Sequence, residues 1–234
     1  MRILKQALIS LVKKSKLKNL LLGKIEEQDY EFVYLALQNE GLLSFDAYQR
    51  LKQEFQERNK YLSLIKITAP TAFADKAMAH LLSLFPKLQP AEKNKSIKAQ
   101  REYDVFYRRG GKRLIKIEVK AGRAVDKTRP NIPYERRAFS TLDKDGVFDM
   151  NFQQMKPDYF DIAILMGIWT DKIRYWVLSS KDMRNHKHFS PGQHRGNKGN
   201  EGQIHIKPQN LSDFKQFEVE ERRVLETVLK KASR

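Results

Sequence analysis

The run Ile115-Lys116-Ile117-Glu118-Val119-Lys120 alternates apolar and charged residues at every step, the pattern of a β-strand whose side chains point to opposite faces with period two. Ile115, Ile117 and Val119 are expected in a core, with Lys116, Glu118 and Lys120 on the other face. A second strand-like run, Tyr103 to Tyr107, precedes it across Gly110-Gly111 and carries Asp104; its Tyr103 and Val105 are assigned to the apolar face. Directly opposed residues of an antiparallel pair point the same way, so the turn decides whether the acids meet. A two-residue Gly110-Gly111 loop pairs 104 with 117 and separates them. A three-residue loop, Gly110-Gly111-Lys112 with a left-handed glycine, pairs 104 with 118 and 102 with 120 and gathers Glu102, Asp104, Glu118 and Lys120.

Two carboxylates a few ångström apart repel one another unless a proton or a cation lies between them. A hard divalent cation such as Mg²⁺ suits oxygen ligands and stabilises charge developing on a phosphodiester. An ammonium at Lys120 would orient an attacking water, assist its deprotonation if its own pKa is lowered, and offset charge on the pentacovalent phosphorus. Glu-x-Lys alone is also the pattern of an ordinary exposed strand with an ion pair. The acid at 104, the β-branched flanks, a helix upstream and the net charge of the chain favour the chemical reading.

That charge is +17, from 45 Lys and Arg against 28 Asp and Glu in 234 residues, which points to a polyanionic partner. Hydrophobic residues at 41% exclude an intrinsically disordered chain, and charged residues at 31% exclude a membrane bundle. The absence of cysteine removes disulfide scaffolds, thiolate zinc sites and cysteine nucleophiles. The first 24 residues hold seven basic side chains and no acid. Lysines break their apolar stretch, no small-residue cleavage site follows, and no run reaches membrane-spanning length, so a basic amphipathic helix and a cytoplasmic protein are expected.

Residues 28 to 60 show helical spacing twice, around Phe32, Leu35 and Leu37 and around Tyr48, Leu51 and Phe55, with Ser44 and Asp46 as candidate caps. A helix-turn-helix is one reading of this pair, and a helical annex is the favoured one. After Pro70 a small-residue helix runs to Leu82. Strands follow at Tyr103 to Tyr107, Leu114 to Lys120, Tyr159 to Trp169 and Ile173 to Leu178, with a turn at Thr170-Asp171-Lys172 and a charged helix from about Leu211 to Lys231. Strands flanked by helices imply an α/β layered core.

Asp104, a hairpin, then Glu118-x-Lys120 resembles the PD-(D/E)XK nuclease superfamily over residues of about 70 to 180. The resemblance implies a restriction-endonuclease-like fold, a mixed central sheet flanked by helices, with residues 1–66 as an N-terminal helical region and 67–234 as the nuclease domain. It implies that Asp104, Glu118 and the backbone carbonyl of Val119 bind Mg²⁺ and that Lys120 is the catalytic lysine. Tyr103 stands where the motif has proline. Asp75 is similar to an additional acid that some members place near the metal; its simpler reading is an aspartate in a first helical turn, favoured by the helix dipole. Size, the helical annex and the segment from Phe148 to Gln154 ahead of a hairpin look like a type II restriction endonuclease. That narrower resemblance implies sequence-specific cleavage of double-stranded DNA by a homodimer. Gln153 and Gln154, read as opening or lining a helix, are candidates for holding water or DNA. A repair or junction-resolving nuclease and a non-catalytic basic DNA-binding protein are the alternatives.

From Lys181 to Asn200 the chain is rich in bases, histidines and glycines. Gln193, His194, Arg195, Asn197, Lys198 and Asn200 form a candidate DNA-binding loop, because Arg pairs with guanine and Asn or Gln with adenine in the major groove. A solvated loop touching phosphates alone is the competing reading. Zinc at His186, His188 and His194 is disfavoured by Lys187 and Arg195, which would repel a dication, and by the lack of an acid or thiolate to complete four ligands.

Overall fold

A computed structural model of the chain describes residues 8–27, 29–94, 103–110, 113–143, 146–192 and 201–233. It divides into two compact units, Met1–Lys60 and Tyr61–Arg234. The division falls after Lys60 rather than after Lys66 because the short helix Leu62–Ile65 turns Ile65 into the core of the second unit. Among the described residues no helix is long and apolar enough to cross a membrane.

The first unit is helical. In place of the single basic helix expected in the first 24 residues stand a helical stretch at 8–12 and a helix Lys18–Glu26. The break is built around Ser15, whose hydroxyl donates to Glu40 Oε1 at 2.9 Å and accepts the Leu17 N–H at 2.9 Å. Helices Tyr30–Asn39 and Phe45–Arg58 follow, and Ser44 caps the latter by accepting the Ala47 N–H at 3.3 Å. Leu8, Val12, Leu21, Ile25, Val33 and Leu37 form the centre of its core.

The second unit is mixed α/β. Strands β1 (Gln89–Pro90), β2 (Val105–Arg109) and β3 (Arg113–Arg123) lead into a separate strand, β4 (Met150–Met155), before β5 (Ile162–Ile168) and β6 (Ile173–Ser179). Strands β7 (Phe189–Pro191), β8 (Gly202–Ile206) and β9 (Glu218–Val219) complete the set. The main sheet has the order β1-β2-β3-β5-β6-β9, with β3 and β5 parallel and the other pairs antiparallel. A second, antiparallel sheet has the order β4-β8-β7.

Every residue of β5 is buried, as a strand covered on both faces requires. Ile162, Ile164, Met166 and Ile168 enter one core with Phe73, Ala77 and Leu81, the i, i+4, i+8 stripe of helix Pro70–Leu84, and with Val224 and Val228 of helix Val224–Lys231. Ala163 and Leu165 enter the other core, roofed by Met150, Phe152, Ile204 and Ile206 of the second sheet.

Three sequence expectations change here. The charged face of β3 is not that of an ordinary exposed strand: Glu118 is buried and Lys116 and Lys120 are half-buried. Tyr103 packs in this second core beside Phe106, whereas Val105 lies in the first. The final charged helix is a 3₁₀ stretch Pro208–Phe217, then β9, then a short α-helix Val224–Lys231. Phe214 and Phe217 sit three apart and share one buried face, which three residues per turn allows.

Candidate active site

β2 pairs with β3 through Val105↔Ile117 and Arg109↔Arg113. This is the three-residue-loop register, with Gly110 at φ +57°, a conformation that glycine adopts without steric cost. It sets position 104 opposite 118. Asp104 lies just before β2, where its N–H donates to the Ile117 carbonyl at 3.1 Å and its carbonyl accepts the Ala91 N–H at 2.9 Å. Its Oδ2 accepts the Val119 N–H at 2.8 Å. The side chain thus takes the hydrogen-bonding place of a strand residue along the upper edge of β3.

Lys120 Nζ stands 2.6 Å from Glu118 Oε1 and 3.8 Å from Asp104 Oδ2. The three predicted groups therefore converge. The Ile117 carbonyl faces β2 and the Lys116 carbonyl accepts from Asp161 on the β5 side. By that alternation the Val119 carbonyl points to the same edge as the Asp104 carboxylate. Glu102, the fourth expected member, lies outside the described residues.

Burial under the second sheet sets the electrostatics. Glu118 is 7% exposed. Burial pushes its carboxyl up to about 7; Asp104 acts in the same direction, while Lys120 and Lys156 oppose it. Burial alone would lower the Lys120 pKa, yet the Glu118 and Asp104 carboxylates reverse this and hold it above the ordinary lysine value. That direction is opposite to the lowered pKa a deprotonating role would need.

A cleft of about 600 Å³ opens at this edge, lined by Asp75, Glu92, Asp104, Lys120, Asp149 and Asn151 among others. Asp75 sits beyond the first turn of the helix that Pro70 opens, so the dipole does not explain it. It borders the cleft without joining the two acids: among the described residues no group of three or more His, Asp or Glu side chains is placed to hold a metal ion. The donor set is two carboxylates and a carbonyl, all hard oxygens, which suits Mg²⁺ retaining several waters.

Gln153 and Gln154 lie on a strand, not a helix, and both are exposed. The candidate DNA-binding residues Gln193, His194, Arg195, Asn197, Lys198 and Asn200 all lie outside the described residues. On their flanks Pro191 pairs with Gly202, and Gly192 N–H donates to the Glu201 carbonyl at 2.7 Å. His188 Nε2 is 2.8 Å from Asp213 Oδ2, and His186 Nδ1 accepts the His188 N–H at 3.2 Å.

One pair escaped the sequence reading. Lys156 Nζ and Glu201 Oε1 are 2.9 Å apart, and both act electrostatically on the site, Lys156 on Glu118 and Glu201 on Lys120. Their separation along the chain left no local signal. No family model, curated protein or solved structure matches the chain.

Proposed function

We propose that the protein is a Mg²⁺-dependent endonuclease of the PD-(D/E)XK kind that hydrolyses phosphodiester bonds in double-stranded DNA, and that its specific form is a type II restriction enzyme with the fold of that class. The observation that carries this reading is the convergence of Asp104, Glu118 and Lys120 at one strand edge beside an open cleft, on a chain with a net charge of +17.

Asp104, Glu118 and the Val119 carbonyl would hold Mg²⁺, which supplies Lewis-acid stabilisation of negative charge on the phosphoryl oxygens. Asp104 is oriented by the Val119 N–H, which its Oδ2 accepts. Lys120, kept protonated, donates hydrogen bonds that orient the attacking water and places positive charge against the phosphorus-bound oxygens as they become more negative. The water oxygen attacks phosphorus in line and gives up its proton to solvent, and the bond to the leaving sugar oxygen breaks as that oxygen takes a proton from solvent.

Digestion of a fully sequenced plasmid with Mg²⁺, with and without EDTA, tests the proposal. Discrete fragments that EDTA abolishes are expected, and Glu118→Gln or Lys120→Ala should lower cutting by at least about 100-fold while DNA binding persists. Undiminished cutting in either variant, or salt-dependent binding with no cutting by the unaltered chain, would refute it. Cleavage confined to branched DNA would replace restriction by junction resolution.

A further inference from the structure

Strand β4 changes course beside the acids. It pairs with β8 through Phe152↔Ile204 and resumes only at Met155↔Gly202, leaving Gln153 and Gln154 in a bulge. Gln154 takes φ +57°, alone among the described non-glycine residues in having a positive φ. A side chain there costs about 1 kcal/mol, and bulges of this kind re-aim the residues that follow. The residue re-aimed is Lys156.

Its ammonium reaches Glu201 at 2.9 Å. Glu201 is itself fixed, since its carbonyl accepts the Gly192 N–H and its neighbour Gly202 pairs with both Met155 and Pro191. The pair acts on the site's charges through space, outside the lining of the cleft: Lys156 favours the charged form of Glu118, and Glu201 that of Lys120. Lys156 is 38% exposed and Glu201 21%. A pair so open to solvent is worth no more than about 1 kcal/mol, so a phosphate oxygen can take the place of the carboxylate at little cost.

Resting on the nuclease reading above, we propose that Lys156 is a second phosphate-binding cation of the site: it takes a backbone phosphate beside the one that is cut, and Glu201 holds the ammonium in place until that phosphate arrives. A cation binding phosphate adds to the salt dependence of DNA affinity, whereas a structural ion pair does not.

The test is binding of a fluorescein-labelled linear duplex of arbitrary sequence, in EDTA so that no strand is cut, across a series of monovalent salt concentrations. Lys156→Gln should reduce the slope of log affinity against log salt by about 0.9 and weaken binding roughly tenfold at about 0.1 M salt. Lys156→Arg should restore both, and Glu201→Gln should bind more tightly than the unaltered chain. An unchanged slope in Lys156→Gln, in a protein that still cuts DNA with Mg²⁺, overturns the role of Lys156 and leaves the nuclease standing. Failure of the unaltered chain to cut overturns both. If Lys156→Gln does not fold, Glu201→Gln decides, because binding no tighter than that of the unaltered chain marks the pair as structural.

Discussion

Asp104 Oδ2 accepts the Val119 N–H at 2.8 Å, so one carboxylate both closes the exposed edge of β3 and stands opposite Glu118. The two duties separate by substitution. Asp104→Asn keeps an oxygen for the Val119 N–H and loses the charge; Asp104→Ala loses both. Cutting should vanish in each. Stability in urea should fall by about 1 kcal/mol more for the alanine variant, and equal stability of the two would show that the Val119 bond does not support the edge.

Gly122 lets the second sheet lie on the main one. A Cβ at this position would stand 3.0 Å from Met150 Cβ and 3.2 Å from the Phe152 ring. Met150 Cβ is tied to its own backbone, so β4 must move. Gly122→Ala should cost about 1–3 kcal/mol and reduce cutting, because β4 carries Met150 and Asn151, which border the cleft. Thermal melts and plasmid digestion read the two effects. Unaltered stability would mean that the two sheets are not in contact at Gly122.

The hairpin was legible in the sequence because strict alternation from Ile115 to Lys120 assigns faces and Gly110 accommodates the turn that the odd register needs. Strand β5 was legible as a continuous apolar run. The layer over the charged face was not. In β4, Met150 and Phe152 alternate, then the bulge moves the next buried residue to Met155, and a spacing of three after a spacing of two looks helical. The raised pKa of Glu118 follows from that hidden layer, so an alternating strand pattern places the carboxylate without revealing its protonation. The 3₁₀ stretch Pro208–Phe217 was hidden in the same manner, since the spacing of its buried Phe214 and Phe217 fits an α-helix as well.

The bulge at Gln154 offers a stability test independent of catalysis. A glycine adopts φ +57° without the steric cost that glutamine bears there. Gln154→Gly should therefore stabilise the fold by up to about 1 kcal/mol, partly offset by the greater freedom of the unfolded chain. Differential scanning calorimetry should register a higher Tm. A lower one would mean that the Gln154 side chain makes contacts worth more than the strain.

His186 gives the protein a defined response to acid. Its ring stacks 4.4 Å from Phe214 and lies 5.6 Å from His188, while Asp213 pairs with both His188 and Lys187. Burial, then the neighbouring His188, lowers its pKa below the ordinary histidine value. The unfolded chain, titrating near the usual value of about 6.5, takes up the proton first. The contribution of His186 to stability is therefore complete above about pH 6.5 and declines as the pH falls from there toward the folded pKa, by up to about 1.4 kcal/mol per pH unit while only the unfolded form is protonated. His186→Leu abolishes this titration. Urea melts at about pH 7.5 and about pH 5.5 should show a smaller acid loss for the variant than for the unaltered protein; parallel losses would mean that His186 binds its proton equally in the folded and unfolded states.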